Sequence, residues 1–89
     1  MNGLIAKRET EFVETEIDGE AVVMSLASGD FFSLKDTALA IWQAIDGKSG
    51  RAALIAALAA DYGVAEAAIA SEVGDFIERA KAAGLVDEG

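Results

Sequence analysis

The chain has 89 residues, with 7 Lys and Arg against 16 Asp and Glu for a net charge of −9, and it contains neither Cys nor His. That length suits one small domain near the lower limit for a core without disulfides or metal, and the missing thiols and imidazoles exclude Cys nucleophiles, His bases and the usual zinc ligands. The acidity opposes a phosphate backbone or an anionic lipid surface, and no segment has the apolar length of a membrane span or signal peptide, so a cytoplasmic protein that binds neither nucleic acid nor membrane is expected.

Residues 1–11 mix charged and small side chains without period and read as an arm, possessed of no legible function, ahead of a single domain over residues 12–89. From Phe12 to Ile17 the chain alternates, with Val13, Thr15 and Ile17 on one side and Glu14 and Glu16 on the other, as a half-buried strand requires. Asp18-Gly19 then marks a two-residue hairpin, because both central turn residues need positive φ. This turn sets Ile17 opposite Glu20, Thr15 opposite Val22 and Val13 opposite Met24. Ala27-Ser28-Gly29 reads as a three-residue loop with Gly in the left-handed position, pairing Leu26 with Asp30, Met24 with Phe32 and Val22 with Leu34. The expected inner face is Val13, Ile17, Val22, Met24, Leu26, Phe32 and Leu34; the expected outer face is Phe12, Glu14, Glu16, Val23, Ser25, Phe31 and Ser33.

Ser33 and Asp36 have the spacing of a helix N-terminal cap. Ala38, Ile41, Trp42 and Ile45 form the buried stripe of a first helix that ends at Asp46-Gly47. Ser49 can cap a second helix, with Leu54, Ile55, Leu58, Ala59 and Tyr62 inward and Gly63 as its stop. A third helix over about residues 65–83 buries Ile69, Val73, Phe76, Ile77 and Ala80, and after Gly84 the chain folds back through Leu85-Val86. The fold class is α+β: a three-stranded antiparallel meander followed by three α-helices, winged-helix-like in outline.

Asp18-Gly-Glu, the apolar strand after it, Ser28-Gly29-Asp-Phe-Phe-Ser-Leu34, Ile41-Trp42, Asp46-Gly47, Tyr62-Gly-Val64 and Gly84-Leu85-Val86 together resemble the PqqD-like family over roughly residues 12–87. The resemblance implies a stand-alone recognition domain for ribosomally made precursor peptides, in which the leader adds as an extra strand beside the third strand, in a groove walled by the third helix. Here those positions are Asp30, Phe31, Phe32, Ser33 and Leu34 on the strand and Glu72, Val73, Asp75, Phe76, Arg79 and Ala80 on the helix. The partners it implies are a leader peptide and a modifying enzyme or leader protease of a lasso-peptide or radical-enzyme pathway, with no catalytic residue, cofactor or metal. The sequence departs from the family where Leu34-Lys35-Asp36 replaces the frequent Leu-Asn, where Ala80 and Lys81 replace larger apolar residues, and where the strand end Met24-Ser25-Leu26-Ala27 lacks a Pro-Glu step.

Each of these residues also has a plainer reading. Phe32 and Leu34 serve equally as ordinary core, and Trp42 reads as core from its stripe. Glu72, Asp75 and Arg79 fit a solvated face with intrahelical pairing; in a recognition role Arg79 would meet an acidic leader residue and Glu72 or Asp75 a basic one. The third strand carries no Pro or inward charge to blunt its edge, and Phe12 and Phe31 suggest an outer aromatic patch open to an enzyme or to a second copy in a homodimer. The alternatives are an acidic carrier protein, which lacks the Asp-Ser step that its modification needs, another small protein-protein interaction domain, or a winged-helix DNA binder, which the acidic third helix opposes. Catalysis by paired carboxylates needs a pocket that so small a domain is not expected to hold.

Overall fold

The computed structural model describes residues 3–89. Its elements are β1 (Ile5–Lys7), β2 (Phe12–Ile17), β3 (Glu20–Ser25), β4 (Phe31–Leu34), α1 (Asp36–Ala44), α2 (Arg51–Tyr62), α3 (Glu66–Ala82) and β5 (Val86–Glu88). The expected α+β plan is present, as an antiparallel sheet in the order β2-β3-β4 followed by three helices. A second, two-stranded sheet pairs β1 with β5, Ile5 opposite Glu88. Part of the segment read as an arm is therefore built in. Ile5 is fully buried, its N–H donates to the Ser49 carbonyl, and its carbonyl accepts from the Gly47 N–H. No helix among the described residues is long and apolar enough to cross a membrane.

The first hairpin has the expected register, with Ile17 opposite Glu20 and Val13 opposite Met24. Asp18 and Gly19 both take positive φ, 51° and 79°, as the two-residue turn demands. The second hairpin differs by one residue. Met24 lies opposite Phe31, Val23 opposite Phe32 and Ala21 opposite Leu34. The ladder closes between the Ser25 N–H and the Asp30 carbonyl at 2.9 Å, so four residues, not three, make the loop. The Ser25 side chain stabilises this longer loop: its Oγ accepts from the Ser28 N–H at 3.4 Å, and Ser28 Oγ accepts in turn from the Asp30 N–H. Gly29 keeps its left-handed conformation at φ 76°.

The sheet also turns the opposite face to the helices over β2 and β3. Phe12, Ala21, Val23 and Ser25 are buried, while Val13, Ile17 and Leu26, expected inside, stand about half exposed. The cause is tertiary. Trp42 of α1 is fully buried and meets the Phe12 ring edge-on at 5.2 Å, and its Nε1–H donates to Glu14 Oε1 at 3.1 Å. On β4 the expected orientation holds, with Leu34 buried, Phe32 half-buried and Phe31 and Ser33 exposed. The one-residue loop error and the inverted face cancel there.

The helix stripes follow expectation except at Tyr62, which is exposed. Neither side-chain cap forms: Lys35 and Gly50 occupy the N-cap positions, and Asp36 opens α1 as its first residue. Asp36 has φ 53°, a left-handed value costly for most side chains but tolerated by Asp, and it lets the chain reverse directly from β4 into α1. Burying Ile41, Trp42, Leu58, Val73 and Ile77 against Val23 and Leu34 makes one core cluster. At about 1.5–3 kcal/mol per buried large apolar side chain, this cluster dominates the stability of a chain without cross-links.

A candidate peptide groove at the β4 edge

Strand β4 ends the sheet, so one side of its backbone has no strand partner among the described residues. In an antiparallel ladder, pairs that exchange hydrogen bonds alternate with pairs that do not. The Ser25–Asp30 bond places Phe32, opposite Val23, in the bonded set facing β3. The N–H and C=O groups of Phe31 and Ser33 therefore face outward. An incoming extended segment can pair with these two residues.

Alongside this edge runs a groove of about 670 Å³ lined by Phe31, Phe32, Ser33, Leu34, Phe76, Arg79 and Ala80, among others. Its floor is mostly alanine and aromatic carbon, because α3 and its C-cap residue present Ala80, Ala82 and Ala83 where larger side chains would fill the space. A smaller recess of about 220 Å³ continues past Phe76 and Arg79 to Glu72 and Asp75. From β4 outward, the surface thus passes from apolar to a single cation and then to two carboxylates. Arg79 makes no ion pair with the described residues, and neither do Glu72 and Asp75, so the intrahelical pairing considered for this helix face is absent.

The structure brings together nine of the eleven residues named from the sequence. Val73 is fully buried beneath the wall, and Asp30 lies in the hairpin, its carbonyl engaged by Ser25. The sequence reading missed Ala38, Ala82, Ala83 and Leu85 as lining. The clue was a run of small residues closing α3, followed by the fold-back at Gly84. Trp42 stands behind the groove, with its ring 6.4 Å from that of Phe76 and the Lys7 ammonium 4.5 Å above it on another side. Among the described residues no group of three or more His, Cys, Asp or Glu could hold a metal ion.

Away from the groove, Arg51 ties α2 to the end of the chain. Its Nε and Nη2 donate to both oxygens of Glu88 at 2.6 and 2.8 Å, it also pairs with Glu78, and Lys81 Nζ donates to Glu88 at 3.0 Å. Hydrogen bonds from Arg51 and then Lys81 lower the Glu88 pKa to about 2, and the Arg51 bond lowers that of Glu78 as well.

Comparison with curated protein sequences finds no match. Among solved structures, the chain is similar to TbiB1 in complex with the TbiA(beta) leader peptide, with 22% identity, a TM-score of 0.78, and coverage of 92% of this chain and 94% of that one. At that identity the likeness shows the fold. The sequence profile described as Coenzyme PQQ synthesis protein D (PqqD) matches residues 20–86, well over half of the chain. The chain belongs to the PqqD family.

Proposed function

We propose that this protein is a non-catalytic adaptor that captures the leader of a ribosomally made precursor peptide by strand addition at β4 and presents it to a modifying enzyme or leader protease in the cytoplasm. The observation that carries the reading is the open backbone of Phe31 and Ser33 beside an apolar groove. Backbone pairing supplies sequence-tolerant affinity, and alternate side chains entering the groove supply selectivity. The PqqD membership and the leader peptide on the structurally similar TbiB1 support the same assignment. Arg79 would hold an acidic leader residue and Glu72 or Asp75 a basic one, fixing register by charge.

Titrating synthetic leaders of precursors encoded beside the gene tests this. The expected result is added exchange protection at the Phe31 and Ser33 amides and a change in Trp42 fluorescence, since the only Trp contacts the groove residue Phe76. If those amides keep their shifts and exchange rates with every such leader, the strand-addition reading is wrong.

A further inference from the structure

The face of the β2-β3-β4 sheet turned away from the helices is left exposed by the described residues. Of the six large apolar side chains that stand exposed among the described residues, four lie here: Val13 at 49%, Ile17 at 55%, Leu26 at 55% and Phe31 at 70%. Met24, opposite both Val13 and Phe31, and Val22, opposite Thr15 and diagonal to Ile17, are half-buried on the same face and lie between these side chains. Apolar surface gathered in this way on a small chain marks an interaction site more often than chance exposure does.

The charge around the patch selects the occupant. Residues 9–34 carry seven acidic side chains and no Lys or Arg, whereas the remaining 63 residues carry nine acidic and all seven basic ones. Among the described residues, only Glu11 of that stretch forms an ion pair, with Arg8, and Glu16, Asp18, Glu20 and Asp30 border the meander without a cation. A second copy would bring a like-charged rim against this one, and an anionic lipid or nucleic acid is repelled in the same way.

We propose that this outer face docks a protein partner whose contact surface has an apolar centre bordered by Lys and Arg, and that the partner is the enzyme that receives the captured peptide. The identity of the partner rests on the adaptor reading above; the surface itself does not. The groove and the outer face meet along Phe31 and Ser33, and the rest of each lies on its own side of the sheet, so peptide and enzyme can be held at once.

The test measures binding of the full chain to the modifying enzyme or protease encoded beside it, together with leader binding by fluorescence anisotropy. Val13→Lys and Ile17→Lys alter the face far from the groove, and Val64→Lys alters an exposed apolar side chain elsewhere; circular dichroism verifies that each variant is folded. The expected result is that V13K and I17K each weaken enzyme binding by about tenfold or more while V64K and leader binding change less than about twofold, and that enzyme affinity falls between roughly 0.05 and 0.5 M NaCl. Enzyme binding that is undetectable, or that ignores V13K and I17K, overturns the proposal. So does self-association in sedimentation equilibrium that these variants abolish, which would make the occupant a second copy. If no leader binds the wild type while enzyme binding still depends on Ile17, the adaptor reading falls and the docking face stands.

Discussion

The sheet has two free edges, and they are treated differently. The β2 edge points the backbone of Phe12, Glu14 and Glu16 outward, but two glutamates flank it, Trp42 fastens Glu14, and the Phe12 ring is buried under the indole. Charge and a side-chain clamp of this kind discourage pairing with another strand. The β4 edge carries only Phe31 and Ser33, has no charged residue between Phe31 and Leu34, and faces a groove instead of a clamp. The open edge beside a walled groove is the one to which the proposal assigns the peptide.

Removing the clamp should produce the largest effect. Trp42→Ala deletes a fully buried indole, its contact with Phe12 and the bond to Glu14, and should cost about 3–5 kcal/mol in denaturant unfolding. Because the indole also contacts Phe76, both edges depend on it, and a loss below about 1 kcal/mol would show that neither does. Proline separates the two edges. Ser33→Pro removes an outward N–H and leaves the bonds to β3 intact, so stability should change by less than about 1 kcal/mol. The same change should weaken leader binding by about tenfold or more, a loss of about 1.4 kcal/mol. Glu16→Pro does the equivalent on β2 and should leave leader affinity unaltered. Equal effects of the two prolines would mean that the peptide does not add at β4.

Arg79→Glu should have a smaller effect, lowering affinity severalfold only for leaders that carry an acidic residue at the matching position, with the difference fading at high salt. A loss independent of peptide charge would assign Arg79 to packing through its methylene stem instead.

How much of this was legible in the sequence depended on how local the deciding interaction is. Asp18-Gly19 specified the first hairpin because the turn's backbone requirement resides in those two residues. The second loop was misjudged by one residue because Ser25 and Ser28 close it through side-chain bonds that no turn pattern encodes. The buried face was misassigned because both faces of the meander are apolar enough to be inside, and the choice is made by Trp42, which arrives from another element. That ambiguity is informative, since a sheet needs only one apolar face to build a core. The β1-β5 pair was invisible for a simpler reason: two three-residue strands at opposite ends of the chain leave no periodicity to detect.

The pairing of the chain ends gives the mildest prediction and a control for the two edges. Glu88, on β5, has its pKa lowered from the ordinary 4.5 to about 2 by hydrogen bonds from Arg51 and then Lys81. A carboxylate depressed in the folded state contributes stability that is complete above its unfolded pKa and disappears as pH falls through the folded one. The melting temperature should therefore fall as pH is lowered from about 4.5 toward 2, and Glu88→Gln should make that slope shallower while lowering stability at pH 7. Glu88 touches neither edge of the three-stranded sheet, so E88Q should leave leader affinity at neutral pH unchanged. If E88Q weakens the leader as much as Ser33→Pro does, affinity is limited by how firmly α3 is held, and the contrast between the edges is secondary to the rigidity of the groove wall.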